Sequence, residues 1–271
     1  MEYRRLGRTD TKVSTIGMGT WKIGNFSTGT ERRGQVDALK RGIELGINLI
    51  DTAEMYSHGK SEEVVAEAVK DVRKEVFLAS KVSPENLHYD AVIRACRASL
   101  RRLGTSYIDL YQVHWPNPKI PIKETMSAME QLVREGAIRF IGVSNFSAAE
   151  TDEARAALEK EDVVSNQVEY SLANTQAELE LLPYCAREVM TLIAYSPLAR
   201  GEIARTVPAS IRQKYRMTPA QIMLNWVTRS EQVVAIPKAA SISHLEENAS
   251  SVSARFAPTE YEQLGKAPPP A

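Results

Sequence analysis

Four side chains in the first half of the chain have the makings of a proton-transfer device: Asp51, Tyr56, Lys81 and His114. A phenol ordinarily titrates near ~10, too high for an efficient proton donor at neutral pH. An ammonium beside it lowers that value, and a carboxylate beside the ammonium holds the lysine charged and in place. Tyr56, Lys81 and Asp51 supply those three parts, and His114 could orient a carbonyl oxygen. Each also has a plainer reading. Asp51 could cap a helix and Tyr56 could pack with its hydroxyl in water. Lys81 could reach solvent from a strand end, and His114 could be a satisfied histidine under a barrel rim.

The four can meet only if the chain delivers them to one end of neighbouring strands, and the apolar pattern predicts that it does. Residues 3–6 and 12–14 flank a turn at 7–10, which predicts a small β-hairpin. A short apolar run at 16–18 ends in Gly19-Thr20-Trp21, and 25–30 is a Gly/Ser/Thr loop. Helical spacing over 35–45 (Val36, Leu39, Ile43) stops at Gly46. Strands are then expected over 49–51, 76–81, 108–114, 138–143, 163–168, 191–195 and 232–236. Helices are expected over 61–69, 89–103, 122–135, 147–160, 177–188, 219–228 and 242–250. Ser61 would cap its helix, with Glu62 and Glu63 in the first turn. Thr218-Pro219 would open another. The connection at 201–218 is brief, little follows the last helix, and the proline-rich tail at 267–271 reads as disordered.

Apolar strands separated by helices imply a parallel sheet covered on both faces. Eight such units in a chain of this length predict an α/β fold, a (β/α)8 TIM barrel with an N-terminal β-hairpin, as one domain over 1–271. A doubly wound open sheet would call for G-x-G-x-x-G after its first strand, and the sequence has none. Active residues of such barrels sit at the carboxyl ends of the strands. Those ends carry Thr20-Trp21, Asp51 with Tyr56, Lys81, His114-Trp115, Ser144-Asn145, Gln167, Tyr195-Ser196 and Lys238. Ser144-Asn145 could alternatively cap the helix that begins near Ser147.

Composition narrows the partners. Lys plus Arg and Asp plus Glu number 34 each, so no global field draws nucleic acid or an acidic membrane. Cys96 and Cys185 lie far apart, without metal-ligand spacing, as in a reducing compartment. The first ten residues are charged rather than apolar, and no apolar run approaches the ~20 residues of a membrane helix. The expectation is a cytoplasmic protein with no metal, nucleic-acid or membrane partner.

In order along the chain come D-T-A-E-M-Y (51–56), S-K-V around Lys81, Y-I-D-L-Y-Q-V-H-W-P (107–116) and I-G-V-S-N-F (141–146). They are followed by N-Q-V-E-Y (166–170), Y-S-P-L-A-R-G (195–201) and I-P-K-A (236–239). This series resembles the aldo-keto reductase superfamily, from the hairpin to about Asn248. The resemblance implies an NADPH-dependent reductase of aldehydes, and of some ketones, with Asp51, Tyr56, Lys81 and His114 as its catalytic set. Tyr56 would protonate the carbonyl oxygen while hydride from NADPH reaches the carbon. Lys81, held by Asp51, would depress the Tyr56 pKa, and His114 would direct the carbonyl.

The same resemblance implies an extended NADP(H) site. Gly19, Thr20, Trp21 and Asp51 would border it, and Ser144, Asn145 and Gln167 would hold the nicotinamide carboxamide. Tyr195 would stack on the ring. Ser196, Pro197, Leu198, Arg200 and Gly201 would cover the pyrophosphate. Pro237, Lys238, Ala239 and His244 would take the adenosine phosphate, with Glu247 and Asn248 near the adenine. Many members have Ser and Arg where this chain has Ala239 and His244, so NADH should also be used, less well. Trp21, Tyr56, His114 and Trp115 would wall an open pocket for a small carbonyl substrate, in a protein acting as a monomer. Two readings from other classes remain beside this one. One is a cofactor-binding regulatory subunit. The other is an aldolase in which Lys81 forms a Schiff base, which demands a lysine free of a fixed carboxylate.

Overall fold

A computed structural model describes residues 1–201 and 207–266, so the tail at 267–271 and part of the 201–218 connection lie outside the described residues. The chain opens with a hairpin of β1 (Tyr3–Arg5) and β2 (Lys12–Ser14), paired antiparallel. The parallel strands follow: β3 (Met18–Gly19), β4 (Leu49–Asp51), β5 (Phe77–Val82), β6 (Ile108–Val113), β7 (Ile138–Ser144), β8 (Val163–Glu169), β9 (Thr191–Tyr195) and β10 (Val233–Ala235). They lie in sequence order in one eight-stranded sheet. Bridges from Ile16 to Ala235 and from Gly19 to Lys238 join its two edges, closing the expected barrel. A Cβ on Gly19 would come within 2.6 Å of the Ile236 carbonyl oxygen, so the seam closes because that residue has no side chain.

Alternation along these strands sorts side chains into an inside and an outside. Leu49, Phe77, Ala79, Leu110, Ile193 and Val234 pack inside with Leu6 and Val13, so the hairpin plugs the amino end of the barrel. Gly7, at φ 51, makes the hairpin turn where a Cβ would lie 2.6 Å from the Val164 carbonyl oxygen. Continuing the same parity, Asp51, Lys81 and Gln112 form a polar layer above the apolar one.

The helices on the outside are α1 (Gly29–Glu44), α2 (Lys60–Val69), α3 (Tyr89–Leu103), α4 (Ile122–Arg134), α5 (Ala148–Ala156), α6 (Leu181–Arg187), α7 (Ala209–Tyr215), α8 (Pro219–Val227), α9 (Ile242–Ala249) and α10 (Pro258–Gly265). Among the described residues none is long and apolar enough to cross a membrane. Several departures from the sequence reading have local causes. α1 starts at Gly29 rather than 35, set by a capping box between Thr28 and Glu31 that precedes the apolar period. Ser61 is no cap: Gly59 is, at φ 85, and the Ser61 hydroxyl is buried against Thr20 and Thr52. The helix expected at 177–188 divides into a 3-10 turn, Gln176–Glu178, and α6. α5 ends well before 160. α7 and α10 were not anticipated. α10 carries Pro258 in its first turn, and the Glu260 carboxylate accepts from the Ala257 backbone N–H at 2.9 Å. It is held to the body by Trp226 Nε1, which donates to the Tyr261 carbonyl at 3.0 Å.

Candidate active site

Asp51 ends β4 and Lys81 lies near the end of β5, and the register brings their side chains together inside the barrel. Lys81 is fully buried; its Nζ donates to Asp51 Oδ1 at 2.5 Å, to the Thr52 carbonyl at 3.0 Å and to the Tyr56 hydroxyl at 3.2 Å. An ammonium has three donors and no acceptor. All three are therefore committed, and the Tyr56 oxygen must accept, leaving the phenol's own proton to point elsewhere. Tyr56 lines the cavity described below. Burial works against the charge on Lys81, but Asp51 and Tyr56 outweigh it and hold the ammonium above the ordinary lysine range. A lysine so fixed and so charged is no Schiff-base nucleophile.

The segment that carries Tyr56 is bent by three consecutive residues with positive φ: Ser57 at 49°, His58 at 56° and Gly59 at 85°. Ser57 Oγ donates to the Ile23 carbonyl at 2.8 Å. Just beyond, the buried Glu62 carboxylate accepts from Arg102 Nε at 2.6 Å and from Ser80 Oγ at 2.7 Å, pinning α2 to the strand that carries Lys81. Burial pushes the Tyr56 phenol above its ordinary range; the Lys81 ammonium pulls the other way without prevailing, and Asp51 adds to the rise. Lys81 thus depresses the phenol as expected, but the phenol lies deep enough for desolvation to exceed the pull of one ammonium, and the net shift is upward. Tyr56 therefore keeps its proton at neutral pH.

His114 follows β6 and is 3% exposed. Its ring stacks on Trp115 at 4.1 Å and meets Tyr56 edge-on at 5.7 Å. Burial, aided by the Lys81 charge, pushes the imidazole down to about 2, so it is neutral. Its Nδ1 is buried without a partner among the described residues.

The second oxygen of Asp51 is also engaged. Oδ2 accepts from Gln167 Nε2 at 2.8 Å and from Gln112 Nε2 at 3.2 Å. Gln112 joins the site unexpectedly, and its signal in the sequence is an amide in an apolar strand, two residues after inward-facing Leu110 and two before His114. Gln167 and Ser144 face each other on β8 and β7, and Ser144 Oγ donates to the Gln167 carbonyl at 2.9 Å. Asn145, at φ 60, donates from Nδ2 to the His114 carbonyl at 3.0 Å and accepts on Oδ1 from the Tyr195 hydroxyl at 3.0 Å. Neither residue caps a helix, since Ser147 caps α5 in a box with Glu150.

Most of these groups, though neither Lys81 nor Gln112, border one cavity of about 600 Å³. Tyr56, His114 and Trp115 line it, as do Gly19, Thr20, Trp21, Asp51, Ser144, Asn145, Gln167, the stretch from Tyr195 to Leu198, Arg200, Gly201, Pro237 and Lys238. Lys22, Glu169, Ala220, Met223 and Ile236 join them without having been anticipated. Of the expected residues, Lys81 and four of the cofactor set do not line it. Ala239 and Asn248 are buried, His244 is exposed on the first turns of α9, and Glu247 accepts from Thr218 Oγ1 at 2.5 Å. Lys238 is exposed and has no carboxylate partner among the described residues. The lining is mainly apolar, with a few polar groups placed along it. The Tyr195 ring stands at one side, the Gln167 side-chain carbonyl has no partner among the described residues, and a free cation waits at the seam of β3 and β10.

A barrel with a carboxylate–ammonium–phenol chain and a neutral imidazole at the carboxyl ends of its strands defines a class of carbonyl-handling enzymes. The chain belongs to the aldo/keto reductase family, whose description matches residues 15–267. It is 41% identical to the methylglyoxal reductase YeaE of Escherichia coli over 96% of this chain and 93% of that protein. Against the glyoxal reductase of Bacillus subtilis the identity is 37%, over 86% and 81%. An aldo/keto reductase of Klebsiella pneumoniae, solved in complex with NADP and acetate, superposes with a TM-score of 0.91 at 40% identity, covering 99% of this chain and 96% of that one.

Proposed function

We propose that this chain is an NADPH-dependent reductase of small aldehydes, with 2-oxoaldehydes such as methylglyoxal first among them. The observation that carries the reading is the saturated Lys81: its third proton is given to Tyr56, which frees the Tyr56 proton for a carbonyl oxygen in the cavity. When bound, the nicotinamide supplies hydride to the carbonyl carbon. Tyr56 gives its proton to the oxygen as negative charge develops there. The phenolate left behind accepts from Lys81, whose charge Asp51 sustains. Lys81 thus acts chiefly on the transition state, where the new charge appears, rather than by loosening the proton beforehand. His114, neutral, offers an N–H to the carbonyl and sets its direction.

Ser144, Asn145 and Gln167 would hold the carboxamide, Tyr195 would lie against the ring, and Lys238 would meet the 2′-phosphate. The small-substrate preference is supported by the named relatives and by Trp21 and Trp115, exposed at the cavity's mouth. The test is NADPH oxidation, followed at the nicotinamide absorbance, with methylglyoxal, glyoxal, 4-nitrobenzaldehyde, an aldose and a ketone. The reading expects the highest kcat/KM with the 2-oxoaldehydes. No turnover of any aldehyde would refute it.

A further inference from the structure

The polar layer of the barrel holds a residue that the proposed chemistry does not use. Gln112 is fully buried in β6, in register with Lys81 on β5 and Gly142 on β7. A Cβ on Gly142 would lie 2.9 Å from Gln112 Cγ, so that glycine clears the space in which the Gln112 side chain lies. From there its Nε2 donates to Asp51 Oδ2 at 3.2 Å, and its Oε1 accepts from Gln167 Nε2 at 3.3 Å. Gln167 Nε2 gives its other proton to Asp51 Oδ2 at 2.8 Å.

These three contacts leave one consistent set of polarities. Asp51 is fixed as an acceptor by Lys81, so both amides must turn an N–H toward it. Reversing Gln167 would set its oxygen against the Asp51 carboxylate and the Gln112 carbonyl together, two repulsions in a buried layer. Gln167 is thereby held with its nitrogen inward and its carbonyl toward the cavity that it lines.

We infer that Gln112 is a positioning residue that locks the Gln167 amide with its carbonyl outward, so that the site reads the N–H₂ of a nicotinamide carboxamide. It ties the group that recognises the cofactor to the carboxylate that charges Lys81. The inference rests on the proposed reading that Gln167 meets the carboxamide, and the experiment separates the two.

NADPH binding is measured by fluorescence titration in wild type, Gln112→Met, Gln167→Ala and the double variant, with melting curves to establish folding. Gln112→Met keeps the length of the side chain and removes both hydrogen bonds; Gln112→Leu serves if the methionine variant does not fold. Gln112→Met is expected to raise the NADPH Kd about 3- to 10-fold, the worth of one oriented hydrogen bond. In the Gln167→Ala background it should change Kd by less than about 2-fold, since the group it orients is gone. KM for the aldehyde should stay near its wild-type value. A 3-acetylpyridine analogue of the cofactor, lacking the N–H₂, should bind wild type more weakly than NADP⁺, and that discrimination should shrink in Gln112→Met. An unchanged NADPH Kd in Gln112→Met, or an equal loss with and without Gln167, overturns the inference and leaves the carboxamide reading intact. An unchanged Kd in Gln167→Ala overturns the reading beneath it, and the inference with it.

Discussion

The two ends of the cleft are built differently. At the inner end Asp51, Lys81 and Tyr56 are already bonded to one another, and Lys81 has no donor to spare. At the outer end Lys238 is exposed without a carboxylate partner among the described residues, and His244 stands off the cavity. On the proposed reading, the difference follows from what each end would do. A proton relay needs its groups buried and fixed before substrate arrives, because reorganising charge in a desolvated site raises the barrier. A phosphate grip needs a cation that is free when the ligand comes, and solvation of that cation keeps it soluble meanwhile. Pre-formed contacts should therefore govern kcat, and open ones the cofactor Kd.

That division can be broken at several points. The largest effect should come from Tyr56→Phe, which removes the proposed proton donor and leaves the cavity lined as before. Its kcat should fall by about 10² or more, with NADPH affinity changed no more than a few-fold. Retention of most of the turnover would sink the assignment of the acid. Lys81→Met and Asp51→Asn act on the same proton, so each should cost far less in a Tyr56→Phe background than in wild type. Additive losses in the double-mutant cycle would mean that Lys81 works independently of Tyr56.

At the outer end, Lys238→Ala should remove most of an NADPH-over-NADH preference of about 10- to 150-fold, the worth of one charge-assisted hydrogen bond. NADH kinetics should hardly change. An unaltered NADPH/NADH ratio would move the 2′-phosphate away from Lys238.

The smallest effect concerns stability. His114 is held near pH 2 in the folded protein, whereas an unfolded histidine titrates near 6.5. Between those values the unfolded chain binds the extra proton. Stability from this group is therefore complete above about pH 6.5 and falls as the pH drops, by about 1.4 kcal/mol per unit. His114→Phe should lose less stability than wild type between pH 7.5 and 5.5 in urea titrations. Parallel losses would show that His114 becomes charged without unfolding the protein.

The inner end was also the more legible in the sequence. Short apolar strands ending in Asp51, Lys81 and His114 announce both the barrel and the end of it at which these side chains meet, since parity and strand ends together fix where a side chain points. Two properties of the same groups could not be read. The upward shift of Tyr56 depends on its depth, which spacing does not encode. Gln112 looked like one polar residue in an apolar run until the barrel brought β8 across from β6. The outer end depends on loops and on a helix start, whose placement spacing does not encode, and there His244 and Glu247 both stand off the cavity. α10 escaped notice because its apolar contacts are few and its signal is a proline followed by a reaching glutamate.

The left-handed run after Tyr56 carries a consequence for how the protein fails. Ser57 and His58 each occupy a conformation that costs an L-residue about 1 kcal/mol or more, and two in succession lower the local barrier to melting. They are held by the Glu62 anchor to Arg102 and Ser80, the bond from Ser57 to Ile23, the Lys81 bond to Tyr56, and a long backbone bond from the His58 N–H to the Met55 carbonyl at 3.4 Å. The backbone around Tyr56 should thus open at denaturant concentrations that leave the barrel intact, as a sub-global event. Activity should fade in urea before the circular dichroism changes, and the amides of Tyr56 to Gly59 should exchange with solvent well ahead of those in β5 and β6.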